Sequence, residues 1–187
     1  RQELREVVDR KLRDDDAGLY FLPIGTVRSC FSDCVGTPRQ GLLAPDTRAR
    51  VDFISKVSPR ALQDLEGFSH VWIIFVFHAN TNSAKAGRRL SRPTDTFKAT
   101  ITPPAAQRRV GVLATRSPHR PNPLGLSLVA LGSVDAPRRR LELRGVDLVD
   151  GTPVLDVKPF VPDYDGVPPP LPAAGGAPPG GGGGSPA

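Results

Sequence analysis

RVGVLATRSPHRPNPLGLSLVALGSV, residues 109–134, holds two apolar runs separated by a stretch of prolines and cations. Pro118, Pro121 and Pro123 fix φ and push the residues before them into extended geometry, so neither a helix nor a central strand can occupy that middle stretch. It is a stiff loop between two strands. The same reading extends outward along the chain. PIGTVRS, ARVDFIS, HVWIIFVFH, FKATITP, RVGVLAT, LSLVALGSV, RRLELRG and PVLDVKP are short apolar or alternating runs, several bounded by Gly, Pro, Asn or Asp. Eight or so such strands with little helix between them predict an all-β fold, a closed or nearly closed β-barrel.

Two helices accompany the strands. Residues 1–18 form an amphipathic arm, with Leu4, Val7, Val8 and Leu12 at helical spacing and a stop near Gly18. A short internal helix is capped by Ser58, opened by Pro59, continued through RALQDLE and ended at Gly67. Residues 19–165 are then the barrel domain. Residues 166–187 hold eight glycines and seven prolines with no charge, the composition of a disordered linker. Residues 80–95 are polar and punctuated by Gly and Pro, and read as a long exposed loop.

Composition narrows the function. The chain has 187 residues, 39% of them hydrophobic, with no uninterrupted apolar run long enough for a membrane span and a charged amino-terminal stretch unlike a signal peptide. An intracellular, cytoplasmic protein is expected. The absence of methionine and the start at Arg1 point to a fragment or processed chain. Cys30 and Cys34 are too few for a disulfide framework and make half of a zinc site at most, so no metal is expected. No G-x-G-x-x-G between strand and helix and no Walker A pattern occurs.

Charge is more informative. Between Arg88 and Arg144 twelve Lys or Arg face three acids, while the rest of the chain is net acidic although the whole carries +6. A basic half of this kind attracts phosphates, and RNA or another polyanion is the expected partner; an acidic protein would suit it too.

Two segments could carry chemistry. In the stiff loop, Arg116, His119, Arg120 and Asn122 are donors set in advance around something anionic or planar, or else arginines of an ordinary connection facing solvent. In GVDLVDGTPVLDVKPF, residues 145–160, Asp147 and Asp150 precede a turn, and period two puts Asp156 and Lys158 on one face of the next strand. His70 and His78 flank the most apolar run and read as core or strand-end residues, whereas His119 lies inside the stiff cationic loop as a candidate for proton work.

These two segments, RSPHRPNPLGLS at 116–127 and GVDLVDGTPVLDVKPF at 145–160, closely resemble the paired motifs of the TrmO (YaeB-like) tRNA methyltransferases. Pro23-Ile24-Gly25, GTPRQ at 36–40 and LEGFSHVW at 65–72 extend the resemblance over about 22–165. It implies a non-Rossmann β-barrel enzyme, acting as a homodimer, that uses S-adenosylmethionine to methylate N6 of threonylcarbamoyladenosine at position 37 of tRNA. It further implies that Arg116, Ser117, His119, Arg120 and Asn122 border the cofactor, with Leu155, Asp156, Lys158 and Phe160 completing the pocket. Phe160 stands where a tyrosine is common. Asp147 or His119 assists loss of the N6 hydrogen. Arg88, Arg89, Arg108, Arg109, Arg138, Arg139 and Arg140 receive the anticodon stem-loop. The competing reading is a noncatalytic barrel that binds RNA or a protein through the same basic surface.

Overall fold

The computed structural model describes residues 21–79, 99–103 and 108–166. The amino-terminal arm, the 80–95 loop with Arg88 and Arg89, and the glycine-proline linker beyond Gly166 lie outside the described residues. Among the described residues eight strands run in the order β1 (Gly25–Ser29), β2 (Arg48–Phe53), β3 (His70–Val76), β4 (Thr100–Ile101), β5 (Val110–Gly111), β6 (Leu124–Asp135), β7 (Arg140–Arg144) and β8 (Pro153–Pro159). Six of them close into an antiparallel barrel in the order β1-β2-β7-β6-β3-β8, sealed where Gly25 pairs with Val154 and Thr26 with Pro153.

Alternation explains which side chains fill it. Val27, Val51, Val71, Ile73, Leu141 and Val154 are fully buried, each flanked by outward-facing neighbours, as the two-residue period of a strand requires. Val146 and Leu148, from the β7–β8 connection, belong to the same cluster and are equally buried. Closure also removes the sheet edges.

β6 reverses the usual chemistry of alternation. Its inward positions include Gly125 and Ser127, while Leu124, Leu126 and Leu128 are 42%, 55% and 38% exposed. Gly125 lies opposite Phe75, and a Cβ there would come within 2.1 Å of the Phe75 ring. The phenyl ring fills the barrel where the strand has no side chain.

Three expected elements differ from the sequence reading. The Ser58–Gly67 helix is two 3-10 turns, Pro59–Leu62 and Leu65–Gly67, broken by Asp64 at φ 64°. The Ser58 cap is present, its Oγ accepting from Arg60 N at 3.3 Å. The break brings both Leu62 and Leu65 onto the barrel core, so packing overrides helix propensity. The FKATITP and RVGVLAT strands shrink to β4 and β5, which pair only with each other outside the barrel. Pro103 follows β4 closely, and β5 passes into a 3-10 turn at Val112–Ala114, closed by Thr115 Oγ1 donating to Val112 O at 2.7 Å. A four-residue helix α1 (Pro162–Asp165) follows β8.

Candidate active site

One end of the barrel gathers three connections: 30–47 after β1, 112–123 before β6, and 145–152 before β8. The stiff loop is ordered by its own hydrogen bonds. Ser117 N donates to Thr115 Oγ1 at 3.3 Å, His119 N to Ser117 Oγ at 3.2 Å, and Arg120 Nη1 to Thr115 O at 3.0 Å. Phe77 N, just past β3, donates to Pro123 O at 2.8 Å and fastens the loop to the barrel rim. Ser117 and part of Arg120 are thus spent on loop shape, while Arg116, His119 and Asn122 are exposed and free of that task.

The centre of this end is Asp147. Ser127 Oγ, itself 8% exposed on the inner face of β6, donates to Asp147 Oδ1 at 2.8 Å. Burial raises the Asp147 carboxyl above its ordinary pKa of 3.8, opposed in part by the Ser127 hydrogen bond and by the nearby Arg116 charge. A half-buried carboxylate held from one side, beside an arginine on a rigid loop, is the arrangement a proton acceptor needs.

A second loop is stitched against it. Gly145 N donates to Thr47 O at 3.0 Å, Val146 N to Thr47 Oγ1 at 2.8 Å, and Thr47 Oγ1 to Val146 O at 3.0 Å. Gly41 and Gly145 touch through their backbones: a Cβ on Gly41 would lie 2.0 Å from Gly145 O, and Gly145 itself has φ 64°. This contact holds the GTPRQ segment, with exposed Arg39 and Gln40, beside the Asp147 connection. Gly41→Ala is expected to force the two loops apart and weaken ligand binding at this end by tenfold or more, measurable by calorimetry, with only a modest fall in Tm because the barrel strands are untouched. His78 closes the ring, its Nδ1 3.4 Å from Thr152 Oγ1. Asp150 serves as a clamp rather than a reactive group, accepting from Ser29 N at 3.1 Å and lying 3.6 Å from Arg28 Nη1.

Other expected site residues lie elsewhere. Asp156 and Lys158 do share a face and form an ion pair at 2.9 Å, but that face is the outside of the barrel wall. Lys158 pairs with Trp72, and Trp72 with Leu128, four residues and about 13 Å of strand from Leu124, where the stiff loop ends. Phe160 packs against His70 and Trp72 at centroid distances of 6.3 and 6.1 Å on the same wall, and Leu155 sits at the β8 bulge. The structure therefore brings Arg116 beside Asp147, with His119 and Asn122 on the same loop, and sets Lys158 and Phe160 farther along the outer wall, while Leu155 and Asp156 lie on that wall nearer this end, Asp156 across Ile74 from Leu126. Ser127, Arg39, Gln40 and His78 join the first group. His78 lies two residues beyond the end of β3; nothing local in the sequence says that this end carries the cluster.

The arginine run is also mostly engaged. Arg138 bonds Asp135 through its backbone N and its Nη1, both at 3.0 Å; Arg139, at φ 55°, donates Nε to Val57 O at 2.8 Å; Arg140 reaches Asp52 at 2.8 Å. Arg108 and Arg109 are exposed beside β5. Among the described residues no group of three His, Cys, Asp or Glu is placed to hold a metal, and no helix is long and apolar enough to cross a membrane. A cleft of about 410 Å³ opens at the opposite end, between Pro59–Glu66 and the β6–β7 hairpin, and includes none of the clustered residues.

Fold and site define a six-stranded, non-Rossmann barrel with a carboxylate-and-arginine end. Its residues 26–166 match the model of the tRNA-methyltransferase O N-terminal domain, and the chain belongs to that family. It is 42% identical over 147 residues to a mouse tRNA (adenine(37)-N6)-methyltransferase, covering 76% of this chain and 31% of the relative. It is 37% identical over 157 residues to the Escherichia coli protein of the same name, covering 81% and 62%. A crystal structure of TrmO superposes with TM-score 0.65 at 38% identity, over 83% of this chain and 64% of that one. The chain thus spans about a third of the length of its rodent relatives and under two thirds of the bacterial one.

Proposed function

We propose that the barrel end around Asp147 binds S-adenosylmethionine and methylates N6 of threonylcarbamoyladenosine at position 37 of tRNA. The observation that carries this reading is the half-buried Asp147, held by Ser127 and flanked by the stiff loop with Arg116. The donor set fits the cofactor: Arg116 and Asn122 suit its carboxylate, and backbone carbonyls and the carboxylate of this end suit its ammonium group. When bound, the cofactor supplies an electrophilic methyl on sulfur. Asp147 Oδ1 accepts from Ser127, and the carboxylate would take the N6 hydrogen while the methyl carbon passes from sulfur to nitrogen and the demethylated cofactor departs as a neutral thioether. The backbone-to-hydroxyl bonds of the loop hold Arg116 in place beforehand, so alignment costs little entropy on binding. Position 37 must leave its stack to reach such a recess. A tRNA substrate supports an intracellular, cytoplasmic location.

We further propose a homodimer that buries the outer wall of β3, β6 and β8. Leu124, Leu126 and Leu128 stand beside Trp72, Ile74 and Val76 there, an exposed apolar ladder of the kind that marks an interface. Asp156 and Lys158 add one charge of each sign to that wall, which suits a self-complementary contact about a two-fold axis. A second copy also offers Lys158 and Phe160, farther along this wall, a route to the cofactor. Leu126→Glu is expected to yield a monomer in sedimentation; an unchanged dimer contradicts this surface.

The direct test is methyl transfer from S-adenosylmethionine to tRNA with and without the threonylcarbamoyl group. Transfer to the modified tRNA alone is expected. Transfer to neither, with no thermal shift from the cofactor or its demethylated product, overturns the reading in favour of a noncatalytic RNA-binding barrel.

A further inference from the structure

The wall opposite the leucine ladder carries a different pattern. On β1, β2 and β7 the buried positions are Val27, Ala49, Val51, Leu141 and Leu143, so the alternate residues face outward. Those residues include Arg28, Arg48, Arg50, Arg140 and Arg144, against Asp52 and Glu142. Arg28 lies directly across from Arg50, and Arg48 directly across from Arg144. Like charges directly opposite in a sheet destabilise it. The first pair is offset, since Arg50 also lies across from Glu142 and shares Asp52 with Arg28, whereas Arg48 and Arg144 face each other with no acid paired opposite either; a like-charge pair left unrelieved marks a surface kept for binding.

Asp52 organises the centre of this wall. It takes Arg140 Nε at 2.8 Å, Arg50 Nε at 3.2 Å and Arg28 Nε at 3.9 Å. One carboxylate holds three guanidiniums by their inner nitrogens, so for Arg50 and Arg140 the outer nitrogen pairs make no ion pair among the described residues. Arg48 and Arg144 are exposed, and their side chains make no hydrogen bond or ion pair among the described residues. The ladder also leads to the site: Arg28 Nη1 is 3.6 Å from Asp150, and Arg144 precedes by three residues the Asp147 that ends the barrel. Outward residues repeat about every 6.8 Å along a strand, comparable to successive phosphates on a nucleic acid strand.

We infer that this arginine wall is the track for the phosphodiester backbone of the RNA substrate, leading it to the Asp147 end; the inference rests on the tRNA reading above. Arg28, Arg48, Arg50 and Arg144 bind phosphate; Asp52 sets the spacing of Arg28 and Arg50, and the strand register sets that of Arg48 and Arg144. Guanidinium forks suit phosphate oxygens in pairs.

The test uses the whole chain. tRNA binding is titrated at several salt concentrations for the wild type, for Arg48→Gln with Arg144→Gln, and for Lys56→Gln with Arg60→Gln, an equal charge change at the far end. S-adenosylmethionine is titrated into the same samples. The wall pair is expected to weaken tRNA binding by about tenfold or more and to reduce the salt slope by about two. Cofactor affinity should not change, and Tm should be equal or higher because like-charge pairs are removed. The far-end pair should bind tRNA nearly as the wild type does. Equal loss in both pairs, wild-type affinity in the wall pair, or a wild type that binds no tRNA overturns the inference. A wild type that binds tRNA but no S-adenosylmethionine sinks the methyltransferase reading and leaves the wall to be judged on the tRNA titrations alone.

Discussion

Asp147→Asn lowers methyl transfer to tRNA by about 10²- to 10⁴-fold while leaving the barrel folded. Asparagine keeps an oxygen that accepts the Ser127 hydroxyl at the same place, so the buried contact survives and only the proton acceptor is lost. The pH dependence separates this from a structural defect. Burial raises the Asp147 carboxyl, so between pH 3.8 and its folded value the native state holds a proton that the unfolded state has lost. Stability then falls as pH rises through that window, and at neutral pH the ionised carboxylate burdens the fold. Asp147→Asn should therefore raise Tm near pH 7, with the gain vanishing below about pH 4. Wild-type transfer should rise with pH across the same raised value, and the variant should lose that limb. A variant that is both inactive and less stable at neutral pH would mean that Asp147 serves the fold.

Gly125→Ala is expected to cost about 1–3 kcal/mol of stability through overpacking. The new methyl would meet the Phe75 ring at 2.1 Å, and Phe75 cannot retreat, being 5% exposed and set edge-on to Phe77 at 5.0 Å. Combining it with Phe75→Leu should recover part of the loss, making the double variant more stable than the two single effects added together. Strict additivity would show that the strand shifts instead. The glycine inside the Pro-Leu-Gly-Leu-Ser segment therefore serves packing, whereas the serine two residues later serves Asp147.

Much of the barrel was legible because alternation at β2 and β7, and the unbroken apolar run of β3, are local properties. Closure was legible only as a class, from many short strands with few helices between them, since pairing Gly25 with Val154 depends on contacts far apart in sequence. β6 shows where alternation misleads: its leucines look like core residues, yet Leu126 is 55% exposed and Ser127 is inside. Asp156 and Lys158 show the same limit. Period two established that they share a face, and the 2.9 Å ion pair agrees, but the period cannot say whether that face is the inside, the rim or the outer wall. Three consecutive arginines likewise look like one patch, although Arg138, Arg139 and Arg140 point to Asp135, Val57 and Asp52 in turn. Asp147 stood out through its motif; its partner Ser127 did not, because a serine within a strand carries no signal until the connection folds back over the barrel end.

Calorimetric titration of S-adenosylmethionine into the wild type, Arg116→Ala and Asp156→Ala in the monomeric Leu126→Glu background weighs the barrel end against the outer wall. Cofactor affinity in that background is expected to fall at least tenfold further with Arg116→Ala and to be unmoved by Asp156→Ala. Affinity that survives Arg116→Ala but is lost with Asp156→Ala in the same monomer would contradict a site centred on Asp147.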